Sequence, residues 1–170
     1  METIRLTITD RDSAVKALRA EHAFTHLISI RDAMASRPIE GYDRVPRRVA
    51  LFFDDVTIPR EGYQIVSPVN IRQILEFAEH RVDKSKLSEV SVLVNCEAGI
   101  SRSTAAAYIF LAAIGGSGRE AEALAMVVNA RAQAVPTARM IELADTEMSC
   151  GGALVAALEA YTARFLVGKR

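Results

Sequence analysis

The sequence predicts an α/β fold: a central, mostly parallel sheet of about four to five strands, helices on both faces, and a helical C-terminal part. Three observations carry this. Strand-like segments alternate with helix-like segments through the first part of the chain. The segment Val90 to Asn95 is apolar at Val90, Val92, Leu93 and Val94, as a strand buried on both faces should be. Beyond it, only helical patterns follow.

Element by element, Thr3 to Thr9 places Ile4, Leu6 and Ile8 at every second position, the period of a strand. Asp10 precedes a helical pattern with Ala14, Val15, Ala17 and Leu18, ending near Ala20. Thr25 to Ile30 reads as a second strand. A polar loop with Pro38, Gly41 and Pro46 leads to a third, Arg48 to Phe53, which Asp54 and Asp55 stop. Ser67-Pro68 combines a capping hydroxyl with proline at the first helical position, and the helix runs to about Val82. After Val90 to Asn95 comes a helix from about Ser101 to Ile114. Ser117 and Glu120 have the spacing of a capping box and open another. Thr137 caps a further helix, and Ala153 to Phe165 forms the last.

The 170 residues suit a single domain spanning 1–170, and half of them are hydrophobic, a globular composition. Lys and Arg number 21, as do Asp and Glu, so the formal net charge is zero. That balance argues against a nucleic-acid partner, which demands a basic surface. No run approaches the roughly 18 apolar residues of a membrane span, and charges at Glu2 and Arg5 interrupt any apolar leader. The expectation is a cytoplasmic protein with no membrane partner. Two widely separated cysteines, Cys96 and Cys150, do not make a disulfide framework.

Ligands in open α/β sheets bind at the carboxyl ends of the strands, and Cys96 stands at that position. Cys96-Glu97-Ala98-Gly99-Ile100-Ser101-Arg102-Ser103 lies between a strand and a helix. A helix N-terminus offers unpaired N–H groups and the positive end of a dipole, which together hold an anion. Gly99 permits a backbone turn that a side chain would forbid. Arg102 can meet a phosphate with a two-pronged guanidinium. The same field favours the thiolate of Cys96, and Ser103 can donate a hydrogen bond to it. Chance puts Gly and Arg at these offsets from either cysteine in roughly one such chain in a hundred, the modest false-positive risk of a short motif.

This octapeptide resembles the signature loop of the cysteine-dependent protein tyrosine phosphatases, most closely the dual-specificity branch, whose loops commonly read C-x-A-G-I-S-R-S. Thr25 to Ile30 resembles the opening core strand of that branch, and Leu51 to Asp55 resembles its strand-to-loop segment with the general acid. The resemblance implies a phosphatase-like fold and a two-step phosphomonoester hydrolysis without metal or cofactor. Cys96 would attack phosphorus and form a phosphocysteine. Arg102 would clamp the phosphate, and Glu97, Ala98, Gly99, Ile100 and Ser101 would supply backbone N–H donors. Ser103 would partner the thiolate. An Asp would serve as acid and then as base: Asp55 by preference, Asp54 as the alternative. The implied partner is a phosphorylated protein or phosphotyrosine peptide. Asn95 stands where the family usually has His, and Asp54 and Asp55 lie 42 and 41 residues before Cys96, longer than the usual interval. The extra length can sit in Thr57 to Val66 and in Asp83 to Glu89.

Other residues have plainer readings. Cys150 sits at a helix end without a catalytic setting. His22 and His26 have the spacing of a metal pair on a helix but fall across a loop-to-strand boundary without a third ligand, so no metal site is expected. Arg44, Arg47 and Arg48 form a basic cluster, either solvated or facing an anionic substrate. Tyr63 walls the substrate cleft or packs. Two other functions stay open: a non-catalytic phosphate-binding module, and a phosphatase of small or lipid phosphates. The acidic and neutral side chains of the loop argue against the latter.

Overall fold

Four strands, β1 (Arg5–Thr9), β2 (His26–Arg31), β3 (Arg47–Phe52) and β4 (Ser91–Asn95), form one sheet in the order β1-β4-β2-β3, every pair parallel. This is a computed structural model that describes residues 4–20 and 23–167, with side chains to residue 164. His22 therefore lies outside the described residues, while His26 begins β2. β4 is buried along its whole length, as its unbroken apolar run requires for a strand flanked by two others.

Strand alternation sorts the two faces. Leu27 and Leu93 face α1 (Arg11–Arg19), packing with Ala14 and Leu18 and with Ile39 and Val45 of the loop after β2. Ile28, Ile30, Val92 and Val94 face the larger core. That core holds α2 (Pro68–Arg81), α3 (Arg102–Gly115), α4 (Glu120–Ala130) and α5 (Ala138–Glu147), with Leu154 and Leu158 of α6 (Ala153–Val167). Helices thus cover both faces, unequally. α3 is the central one: every residue from Arg102 to Ala112 is buried. Its Ala-rich start lets it lie close to the sheet.

The caps follow local chemistry. Asp10 accepts from the backbone N–H of Ser13 at 2.9 Å and opens α1. Ser67 and Asn70 form a reciprocal capping box at α2, with Pro68 in the first turn. The box expected at Ser117 does not form. Gly116 and Gly118 both take positive φ, so the chain turns again after Ser117 and α4 starts at Glu120. There the Glu120 carboxylate accepts from the N–H of Gly118 at 3.1 Å. Thr137 precedes α5 as expected, but its buried hydroxyl takes no hydrogen bond. Among the described residues no helix is long and apolar enough to cross a membrane.

Candidate active site

The chain leaves β4 at Asn95 and enters α3 at Arg102, and the intervening loop wraps around Cys96. Cys96 is 1% exposed. The N–H of Gly99 donates to it at 3.2 Å, and Ser103 Oγ lies 3.2 Å from it. With sulfur as a thiolate, the Ser103 hydroxyl is the donor.

Three of the loop's carbonyls are bonded outward. Glu97 O accepts from the N–H of Arg11 at 3.3 Å, and Gly99 O from Arg131 Nε at 3.0 Å. Ile100 O accepts from the N–H of Val135 at 3.1 Å and from the Thr104 hydroxyl. With these oxygens bonded outward and the Gly99 N–H turned in to the sulfur, the loop at the head of α3 has the form of an anion nest. Gly99 makes the wrap possible. Its φ is +70°, and a Cβ there would stand 2.4 Å from the carbonyl carbon of Thr9 and 2.5 Å from the nitrogen of Asp10. The loop is thus pressed against the end of β1 at the one residue that leaves room.

Arg102 is 3% exposed, and its guanidinium is divided in its duties. Nη1 donates to Asp32 Oδ1 at 2.8 Å and to the carbonyl of Phe53 at 2.7 Å. Nε takes no hydrogen bond; its nearest charge is Asp55 Oδ2 at 3.7 Å. The Nε–Nη2 edge is therefore the side presented for a two-pronged contact.

The two candidate acids sit in different surroundings. Asp54 is bound on both oxygens by backbone: Ala33 N–H at 3.1 Å and Gln64 N–H at 2.8 Å. It ties the loop after β3 to the loop after β2. Asp55 is exposed and reaches the Arg102 guanidinium instead. The long interval before Cys96 is taken up by the irregular segment between β3 and α2 and by the 3-10 turns of Lys84–Glu89.

Three features of the site come from residues that sequence reasoning passed over. Asp32 holds Arg102. Arg31 and Arg11 clasp the Glu97 carboxylate at 2.9 and 3.2 Å, so this side chain points away from the nest. Arg131 braces Gly99 from the turn after α4. Asp32 and Arg31 were findable, since both lie where β2 ends at the ligand-binding edge. Arg131 carries no such signal.

Asn95 is fully buried, and neither atom of its amide finds a partner; the hydroxyl of Ser29, its in-register neighbour on β2, is likewise unpaired. The cluster Arg44, Arg47 and Arg48 lies before and at the start of β3, at the opposite end of the parallel sheet from Cys96. Arg48 pairs with Asp43 and covers the Tyr42 ring, and Arg44 donates to Leu18 O. It does not face the site. Tyr63 is 47% exposed, with Arg60 stacked 5.1 Å above its ring. Cys150 follows α5, and burial pushes its thiol up.

No protein-family model matches the sequence, and no curated protein matches it either. Solved structures do. The human tyrosine phosphatase-like serine/threonine/tyrosine-interacting protein is 26% identical, with a TM-score of 0.58 over 87% of this chain and 93% of that one. The Yvh1 phosphatase domain from Chaetomium thermophilum is 22% identical, with a TM-score of 0.55 over 88% and 93%. Tk-PTP in its active form is 20% identical, with a TM-score of 0.55 over 85% and 92%. The chain thus has the fold of the tyrosine and dual-specificity phosphatases, and its Cys-x-x-Gly-x-x-Arg loop stands at the carboxyl edge of the sheet.

Proposed function

We propose that the protein is a phosphomonoester hydrolase working through a phosphocysteine on Cys96, with phosphorylated protein as substrate. The observation that carries this reading is the convergence of Gly99 N–H and Ser103 Oγ, each 3.2 Å from the Cys96 sulfur, beside a buried Arg102 whose Nε takes no hydrogen bond. Donors aimed at a sulfur stabilise it as thiolate and leaving group, and donors around it hold the equatorial phosphate oxygens. In the first step sulfur forms a bond to phosphorus as the ester P–O bond breaks, and Asp55 gives its proton to the departing oxygen. In the second, Asp55 takes a proton from water as that water displaces sulfur. Asp55, held near Arg102 at the mouth of the nest, suits both tasks. The whole of residues 1–170 serves as one catalytic domain in this reading, located in the cytoplasm.

Hydrolysis of p-nitrophenyl phosphate tests it. Wild type should turn over in the presence of a chelator. Cys96→Ser should lose turnover yet still bind vanadate, because the nest and Arg102 remain. Arg102→Lys keeps the charge and loses the fork, so vanadate affinity and kcat should both fall at least about tenfold. Full activity in Cys96→Ser, or equivalence of Lys and Arg, refutes the assignment. A second reading, a phosphate-binding module without turnover, draws on Asn95 in place of the usual His; vanadate binding without hydrolysis in wild type would select it.

A further inference from the structure

Beside the Cys96 loop, on the α1 face of the sheet, lies a cleft of about 440 Å³ that the chemistry above does not use. Arg11 and Val15 of α1 line it, together with Arg31, Met34, Arg37 and Ile39 from β2 and the loop after it. Three guanidinium groups border this cleft with donors uncommitted. Arg31 gives Nε to Glu97 and Nη1 to the carbonyl of Arg37. Arg11 gives Nε to Asp12, and its Nη1 forms an ion pair with Glu97. The Nη2 groups of both, and the whole side chain of Arg37, have no hydrogen-bond partner among the described residues.

Charge follows the same pattern. Glu97 and Asp12 offset two of the three cations, and Glu40, the remaining acid of the cleft, is taken by Arg19 at 2.7 Å. One positive charge is left over, and Arg37 is the residue with no partner. The layer below is polar as well: Thr9, Asn95 and Ser29 stand in register across three strands, on the face of Leu27 and Leu93. The cleft adjoins the nest through one residue, for Glu97 follows Cys96 and its carboxylate touches both Arg31 and Arg11.

The form of the occupant is indicated by the rim. Among the described residues, five large apolar side chains stand exposed, and four of them, Met34, Ile58, Tyr63 and Val135, lie on loops at the Cys96 edge of the sheet. Such side chains around a polar centre suit contact with a polypeptide. We propose that the cleft is a second anion subsite, which seats an acidic or phosphorylated side chain neighbouring the phosphoresidue of a polypeptide substrate. This deepens the phosphatase reading and rests on it. Carboxylate and phosphate share the recognising chemistry, a fork of N–H donors on a positive charge.

Three phosphotyrosine peptides test the subsite, identical except for Gln, Glu or phosphoserine beside the phosphotyrosine. Phosphate release gives kcat/KM, and fluorescence anisotropy with Cys96→Ser gives binding without turnover. p-Nitrophenyl phosphate, too small to reach the cleft, is the reference for the nest. Wild type should prefer the Glu peptide over the Gln peptide by about fivefold or more at low salt, and the phosphoserine peptide further; high salt should shrink both preferences. Arg37→Glu should abolish the preferences in both assays while p-nitrophenyl phosphate hydrolysis stays within about twofold. Equal handling of the three peptides by wild type, or preferences that survive Arg37→Glu, overturns the subsite. Failure to hydrolyse any substrate overturns the phosphatase reading alone, and the anisotropy series then still decides the subsite.

Discussion

Exchanging Asp54 and Asp55 for Asn, one at a time, should produce two different failures. Asp54 accepts from two backbone N–H groups, at 3.1 and 2.8 Å. Asn keeps one oxygen for one of them and turns an NH2 toward the other. A hydrogen bond to a charged group contributes about 1.5–3 kcal/mol, and partial exposure lowers that here, so the substitution should cost about 1–2 kcal/mol. For a chain of this size each kcal/mol moves Tm by about 2–4 °C. A Tm lower by roughly 2–8 °C is therefore expected, with a mild and equal loss of activity on all leaving groups. Asp55 makes only a 3.7 Å charge contact from an exposed position, worth under about 1 kcal/mol, so Asp55→Asn should melt close to wild type. Its effect is on chemistry. General acid catalysis is worth about 10²–10⁴-fold, and that loss should appear with phenyl phosphate, whose leaving group needs a proton. It should nearly vanish with p-nitrophenyl phosphate, whose leaving group hardly does. Thermal melts and kcat/KM on both esters make the measurement. A leaving-group effect in Asp54→Asn, or a large Tm drop in Asp55→Asn, refutes the assignment.

Two further perturbations follow from the packing. Gly99→Ala adds a Cβ 2.4 Å from the Thr9 backbone at a φ of +70°; a displaced loop should lose vanadate binding and cut turnover at least about a hundredfold, whereas near-normal turnover would show that the loop is not wedged against β1. His26 meets the Phe77 ring edge to face, with Nε2 2.8 Å from the carbonyl of Arg81, and burial lowers its pKa below the usual 6.5. The unfolded chain then takes up the proton first as pH falls, so stability should drop from about pH 6.5 downward, by at most about 1.4 kcal/mol per pH unit. Melts of wild type and His26→Gln between pH 7 and 5 should diverge; parallel curves would refute the shift.

Much of this arrangement was legible because its signals are local. Period-two apolar positions mark β1, a run apolar on both faces marks β4, and Asp10 and Ser67-Pro68 mark helix starts. The Cys96 loop was legible because one short stretch holds its cysteine, glycine, arginine and serine. What stayed hidden depends on remote backbone. Nothing in Asp54-Asp55 says which carboxylate meets the N–H groups of Ala33 and Gln64. The clasp of Glu97 by Arg11 and Arg31 joins three segments that only the parallel sheet makes neighbours. The Ser117 box failed because two flanking glycines, Gly116 and Gly118, turn the chain in ways that no i to i+3 pattern records.

The pairing of β1 with β4 also sets an order of events during synthesis. β1 is translated early, yet its in-register partners, Ser91 to Asn95, are made only after β2, β3 and α2. Until then its apolar side chains Leu6 and Ile8 have no sheet to join, and closing so long a loop is slow. Since Gly99 rests on Thr9 and Asp10, the Cys96 loop has no wall to form against before that closure. A chain emerging from the ribosome would therefore form its Cys96 pocket only once β4 has been made, and a nascent fragment ending before β4 would expose a sticky first strand to chaperones.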